Sequence, residues 1–248
     1  MSEQPTSRTA SIAAVLGIAG PAFTLVGVAV SQAGAPAMTG FSVFQLGILS
    51  GLLALILGFV GLFLTRGGIG GRGRALTGLG LGAAMVLMLV LAVSPGAGVP
   101  AINDITTNLE NPPGFMPAPA EHRNAVRDMS YPADWKPLVR EAYPDLVPIR
   151  VSVSPGQAYA LSLDEAQKLG WQITRRERNG FEAEATTPLF RFVDDVSVRV
   201  SAGANGNGVI DIRSKSRDGR GDLGANAERI RVFSAAVVER SRQAGASR

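Results

Sequence analysis

The sequence predicts an α+β protein in two parts: a bundle of three transmembrane helices, then an exported domain with a four-stranded antiparallel sheet and two packed helices. Three observations carry this. No Asp, Glu, Lys or Arg occurs from Thr9 to Thr65 or from Ala75 to Asn103, which few water-soluble folds tolerate. Prolines then crowd residues 95–148, breaking regular elements. Beyond residue 149 the apolar pattern changes to the period-two alternation of strands and the three-four spacing of a helix.

Composition agrees. The chain has 248 residues, 46% apolar but only 6% aromatic, with a positive mean hydropathy of +0.19. Its formal charge of +4 comes from the N-terminal part, where Arg8, Arg66, Arg72 and Arg74 face only Glu3. Residues 95–248 hold 20 basic and 19 acidic groups, so the basic pI does not argue for a nucleic-acid partner. Cysteine is absent and His122 is the single histidine. Zinc ribbons, thiol nucleophiles and Ser-His-Asp chemistry therefore lack parts, and neither a cofactor nor a metal is expected.

Three windows approach the roughly 20 apolar residues a span needs: 10–30, 43–64 and 75–93, within a membrane region of residues 1–94. The second is strongest, running through Leu46, Ile56, Phe59 and Phe63. The first carries Pro21 and much Ala and Gly, which membrane helices accept. It also fits a signal peptide cleaved near Ser31-Gln32-Ala33, although its length favours an uncleaved helix. Gly17 and Gly20, Gly47 and Gly51, and Gly78 and Gly82 recur at spacings that let helices approach closely, and packing within one subunit is the simplest use for them. No ionisable group lies inside a span, so proton relay has no candidate there.

Arg66, Arg72 and Arg74 lie in the second connection and none in the first. Basic short loops stay in the cytoplasm, so the path runs in, out, in, out. The expectation is a multi-pass protein of a bacterial inner membrane whose C-terminal domain is periplasmic.

Residues 95–148 read as a wrapping linker with short helical turns near 121–128 and 136–142. Phe115, Tyr131, Trp135 and Tyr143 should pin it to the core, which spans 149–242. Residues 149–153 alternate as a short strand. Ser154, Pro155 and Gln157 form a capping box with proline at the first helical position, and Gly170 closes that helix; a second box at Ser162 and Glu165 could delay its start. Residues 171–178 and 181–187 flank Asn179-Gly180, a strong hairpin signal. Residues 192–202 and 209–216 flank a glycine-rich turn. Leu223, Ala227, Ile230, Phe233 and Val237 then mark a terminal amphipathic helix.

Alternation places Trp171, Ile173, Phe181, Ala183, Ala185, Phe192, Val196, Val198, Val200, Ile210 and Ile212 on one face. Glu182, Glu184, Arg176, Asp195, Arg199, Asp211 and Arg213 occupy the other, read as a solvated face with cross-strand ion pairs. Asp194 and Asp195 must point to opposite sides, so they cannot act as a dyad. In residues 213–230, RSKSRDGRGDLGANAERI, basic groups precede a glycine-rich turn, Asp222 is a candidate N-cap, and Arg213, Arg217 and Arg220 could receive an anion at the helix start. A plain turn, with Arg217 paired to Asp222, explains the same residues.

The segments INDITTNLENPPGF, AYPDL, LGW, FVDDVSVRV and RSKSRDGRGDLGANAERIRVF resemble the bacterial and plastid domain of unknown function catalogued as number fourteen ninety-nine, over roughly residues 101–238. The resemblance implies that Asp194, Asp195, Arg199, Arg213, Ser214, Ser216, Arg217, Gly219, Asp222, Gly224, Asn226 and Arg229 belong to the family pattern. Asp218 departs from it, standing where many members carry an aliphatic residue. No reaction comes with the resemblance.

The functional expectation is a membrane protein whose exported domain binds an anionic ligand, a lipid headgroup or an envelope protein partner through Arg199, Arg213, Ser214, Ser216, Arg217, Asp222, Asn226 and Arg229, beside the lipid bilayer that holds the helices. One alternative is a hydrolase or transferase built on Asp195, Arg199, Ser214 and Asp222. Another is a structural platform for a membrane complex.

Overall fold

The structure, a computed structural model, describes residues 5–67 and 69–246. They form two compact units, one of residues up to 97 with Pro188–Arg191 and one of the remainder from Gly98.

The first unit holds α1 (Arg8–Gln32), α2 (Ala37–Leu64) and α3 (Arg72–Val93), three helices long and apolar enough to cross a membrane. Each predicted window lies inside one of them. Ser7 caps α1 by accepting from the Ala10 N–H. Large apolar side chains such as Leu25, Phe59 and Leu91 face outward, while Ala10, Ala13, Ala54 and Ala75 are buried between helices. The glycines serve the same contact: a Cβ on Gly47 would lie 2.6 Å from the Gly20 carbonyl, and one on Gly82 would lie 2.5 Å from the Leu55 nitrogen. Close approach replaces hydrophobic burial as the source of packing energy where the surroundings are also apolar. Ser50 adds one interhelical hydrogen bond, donating to the Leu16 carbonyl at 2.9 Å.

The second unit contains β1 (Asp104–Thr106), α4 (Trp135–Ala142), β2 (Ile149–Arg150), α5 (Pro155–Lys168), β3 (Gln172–Glu177), β4 (Gly180–Thr186), β5 (Val193–Ala202), β6 (Gly208–Ser216) and α6 (Ala225–Ala246). The sheet has six strands rather than four, in the order β1-β6-β5-β4-β3, with β2 also on β6. The four expected strands form its body. The additions share the outer edge of β6, β1 opposite Arg213 to Lys215 and β2 opposite Val209 and Ile210. β2 is the short strand expected at 149–153, reduced to its first two residues, whereas β1, three residues long, is too short for alternation to show.

The Ser154 and Gln157 capping box forms with Pro155 in the first turn, and Gly170 ends α5 with φ of +78°. α5 runs unbroken through Ser162, so the second box starts nothing. The β3–β4 hairpin forms one residue earlier than its Asn-Gly signal, because Glu177 pairs with Gly180 and leaves Arg178 and Asn179 as the loop. Gly180 serves another purpose: a Cβ there would meet the Val198 carbonyl of β5 at 2.5 Å.

The apolar face forms as expected. Phe181, Val196, Val198, Ile210 and Ile212 are buried under Ala158 and Ala166 of α5 and Ala227, Ile230, Phe233 and Val237 of α6. Trp171 stacks on Phe233 with centroids 5.1 Å apart. Each such Ile or Phe contributes about 1.5–3 kcal/mol by leaving water. Phe192 is only half-buried. Leu223 is exposed, with a left-handed φ of 53°, so it belongs to the turn before α6 and not to its apolar stripe. Tyr143 is buried in this core and Trp135 packs against it, as the pinning role requires.

Candidate functional site

The second face of the sheet is not the solvated surface its charges suggested. The proline-rich chain between β1 and α4 lies across it, and the reason is chemical. Proline lacks an N–H and prevents regular ladders, so this segment carries many carbonyls without backbone partners, and buried carbonyls need donors. The sheet supplies them. Arg199 donates to the Asn111 carbonyl at 2.6 Å, Ser197 to Gly114 at 2.7 Å, Arg175 to Pro117 at 2.6 Å, and Arg213 to Pro113, Met129 and Ser130.

Arg213 is the centre of this packing. It is 2% exposed and bonds fork-on to the fully buried Asp104, at 2.8 and 2.7 Å, while Lys215 reaches the same carboxylate at 2.9 Å. Its guanidinium lies 4.8 Å from the Phe115 ring centroid and 5.2 Å from that of Tyr131, a double cation–π contact. Those two aromatics thus hold an arginine instead of joining the apolar core. Burial drives the Tyr131 hydroxyl far above the ordinary tyrosine range.

The eight expected ligand residues divide into separate sets. On the helix side, Arg229 binds Asp194 at 2.5 Å, Ser214 Oγ at 2.9 Å and Asn226 Oδ1 at 2.6 Å. Ser214 donates to Asn226 Oδ1, and Asn226 donates to Ser216 Oγ. Burial raises the Asp194 carboxyl above its usual range, against the pull of Arg229 and Ser216. Asp222 accepts from the Gly224 and Asn226 N–H groups, so it caps α6 as expected, from a position slightly further out. On the opposite face, Arg199 pairs with Asp211 at 2.7 Å. Arg213 is consumed as described, and Arg217 binds Asp195 at 2.6 Å and also Glu184, not Asp222. Arg217 holds its proton more firmly than usual, because these two carboxylates outweigh the effect of burial.

No shared anion site results, since each of these cations already has a carboxylate. Nor do Asp195, Arg199, Ser214 and Asp222 converge for hydrolysis: in the register Ser214 stands opposite core-facing Val196, and Asp195 opposite Lys215 on the other face. Asp194 and Asp195 do point to opposite sides, and each has its own arginine partner.

Two clefts lie against the crossing chain on the charged face, of about 300 Å³ beside Ser197 and Arg199 and of about 230 Å³ beside Glu184, Asp195 and Arg217, and Glu182 lines both; the second gathers the ionisable cluster. Phe115, Met116, Ala118 and Pro119 of the crossing chain wall one side, and Glu182, Glu184, Asp195, Arg175 and Arg217 rise from the sheet. His122 borders it, its Nε2 3.4 Å from Glu184 and its Nδ1 accepting from the Asn124 N–H. Glu184 and Asp195 face each other in the β4–β5 register and share Arg217, and Asp195 also takes Arg127 at 3.0 Å. Glu182 differs. It accepts from the Met116 N–H and makes no ion pair among the described residues, and burial raises its carboxyl above the usual range, against the Met116 hydrogen bond and Arg175.

Of the residues lining this cleft, Arg217 was a predicted ligand contact, and Arg199 lines its neighbour. Arg175 replaces the expected Arg176 because a β-bulge between Ile173 and Arg175 shifts the register, setting Arg175 opposite Glu182. Glu182, Glu184 and Asp195 were legible as one face; that the lone histidine joins them was not. The signal for His122 was indirect: a proline-rich chain with polar residues must lie on something that pairs its carbonyls.

A family model described as "Protein of unknown function (DUF1499)" matches residues 104–237. No curated protein matches the chain.

Proposed function

Because the chain belongs to the DUF1499 family, a membership that supplies no reaction, we propose from the site itself that this membrane protein is a binding module. Its domain would take a small amphipathic ligand that presents a hydrogen-bond donor or cationic group to Glu182. The observation that carries this reading is the contrast inside the cleft. Glu184 and Asp195 are neutralised by arginines, whereas Glu182 stands half-buried beside the apolar wall of Phe115, Met116 and Pro119 without a cation at bonding distance. A half-buried carboxylate that has one backbone hydrogen bond but no cation is costly when charged, and a ligand donor would relieve that cost.

The arginine-bearing turn between α2 and α3 supports placing the domain on the non-cytoplasmic side, periplasmic in a bacterial envelope. The expected anionic ligand finds less support, because Arg213, Arg217 and Arg229 are matched by Asp104, Asp195 and Asp194.

The test titrates full-length protein in nanodiscs with hydrophobic amines and with alkyl phosphates or carboxylates of equal chain length, read by the fluorescence of Trp135 and Trp171. Saturable amine binding that weakens about tenfold or more in Glu182→Gln, a loss near 1.4 kcal/mol, is expected. Tighter binding of the anionic series, unchanged in Glu182→Gln, defeats the proposal.

A further inference from the structure

The β4–β5 connection groups with the helical unit and not with the strands it joins. Its base is closed by the Thr187 N–H donating to the Phe192 carbonyl at 2.8 Å and the Phe192 N–H donating to Thr187 Oγ1 at 2.9 Å. This leaves a four-residue tip, Pro188–Arg191, whose last residue takes a left-handed φ of 58°, a conformation hairpins of this length use for closure.

The tip is fastened within the helical unit. Gln32, the last residue of α1, donates from Nε2 to the Pro188 carbonyl at 2.6 Å and to Leu189 at 3.0 Å. Phe190 is buried edge-on between two rings of α2, with centroids 5.2 Å from Phe41 and 5.1 Å from Phe44. The depth of those rings follows from the sequence. The apolar stretch of α2, with Gln45 and Ser50 as its polar residues, begins at Val43 and, at 1.5 Å per residue, spans about 33 Å to Leu64, close to the roughly 30 Å of a hydrocarbon core. Phe44 therefore marks the hydrocarbon edge and Phe41 sits one turn into the headgroup layer. Leu189 is 51% exposed beside them. Arg191 is exposed too and makes no ion pair among the described residues.

We infer that Pro188–Arg191 is a bilayer-interface anchor, in which Leu189 enters the boundary between headgroups and acyl chains and Arg191 reaches lipid phosphate. An exposed leucine next to a cation at that depth matches the two layers of the interface, apolar below and anionic above. Gln32 and the three phenylalanines hold the tip in place, so its insertion costs little further ordering. This surface is independent of the Glu182 cleft.

The chain has no cysteine, so Leu189→Cys accepts a single nitroxide label. Full-length labelled protein in phosphatidylglycerol-containing nanodiscs is exposed to oxygen, which partitions into lipid, and to a water-soluble nickel chelate. Leu46→Cys, 56% exposed in the span, and Val126→Cys, 91% exposed in the domain, serve as the references. The Leu189 label should favour oxygen over nickel several-fold more than the Val126 label and approach the Leu46 label, with the Trp135 and Trp171 fluorescence unchanged. Nickel access equal to that at Val126 overturns the anchor. So does shielding from both reagents, which would place protein rather than lipid on Leu189.

Discussion

The helical unit and the sheet domain solve opposite problems with opposite residues. In the helical unit the large apolar side chains are outside, and glycine, alanine and serine lie between the helices. In the domain one face of the sheet buries large apolar groups, and the other buries Arg213, Asp104, Asp195 and Asp211. Lipid offers no reward for burying leucine, so the helices gain from close contact alone. Water rewards it strongly, and the domain can then tolerate charges on its second face, provided each is matched. Solvent, rather than fold class, thus decides which residues occupy each interior.

The sharpest way to break this comparison is to remove one member of a buried pair. Arg213→Ala leaves Asp104 buried with only Lys215, and orphans the carbonyls of Pro113, Met129 and Ser130. The domain should lose about 3–5 kcal/mol, the usual cost of an uncompensated buried charge. Both tryptophans, Trp135 and Trp171, lie in the domain, so their fluorescence during denaturant unfolding of the full chain reports this unit. A loss below about 1 kcal/mol would mean that the second face is solvated after all.

The corresponding test of the helical unit adds a methyl group. Gly47→Ala places a Cβ 2.6 Å from the Gly20 carbonyl and 2.8 Å from the Thr24 nitrogen, both backbone, and should cost about 1–3 kcal/mol through forced separation of α1 and α2. Gly80 has nothing within 4 Å of its would-be Cβ, so Gly80→Ala should be neutral or gain up to about 1 kcal/mol of helix propensity. Loss of far-UV helicity in rising dodecyl sulfate ranks the three proteins. Equal midpoints would show that the glycines do not set the helix spacing.

A smaller effect tests the cleft. Burial lifts the Glu182 pKa above its unfolded value, so its contribution to stability is fully present below the unfolded pKa and is lost as pH rises through the folded one. Glu182→Gln keeps the acceptor for Met116 and removes the charge. Its melting temperature should rise relative to wild type as pH goes from 4 to 8, by roughly a few degrees. A constant difference across that range would show that Glu182 has found a cation.

These effects also mark what could be read from residues alone. The three spans, the body of the sheet, the α5 cap and the α6 stripe each follow from a periodic or punctuated pattern, and so did the division of the sheet into two faces. What covers the second face did not. Asp104 and Arg213 are 109 residues apart, and β1, which brings them together, is three residues long inside a proline-rich stretch. The candidate site failed for the same reason. Residues 213–229 carry many cations in sequence, but the partners of Arg213, Lys215, Arg217 and Arg229, namely Asp104, Glu184, Asp194 and Asp195, come from other strands, and only the register shows that these four are matched, while Arg220 stays exposed and makes no ion pair among the described residues.

The smallest predicted effect is a control on the largest. Arg140 of α4 and Glu110 meet in a single contact at 3.1 Å, where Arg213 grips Asp104 with a fork, and both side chains are well over half exposed. Water already solvates the two charges, and holding them together costs side-chain freedom, so Arg140→Ala should change domain stability by about 0–0.5 kcal/mol in the same tryptophan-monitored titration. The difference between the two arginine variants, several kcal/mol, measures what burial adds together with the fork, the carbonyls and the rings that engage Arg213. A large loss in Arg140→Ala would return the explanation to charge pairing itself, and the contrast between the domain's interior and its surface would no longer hold.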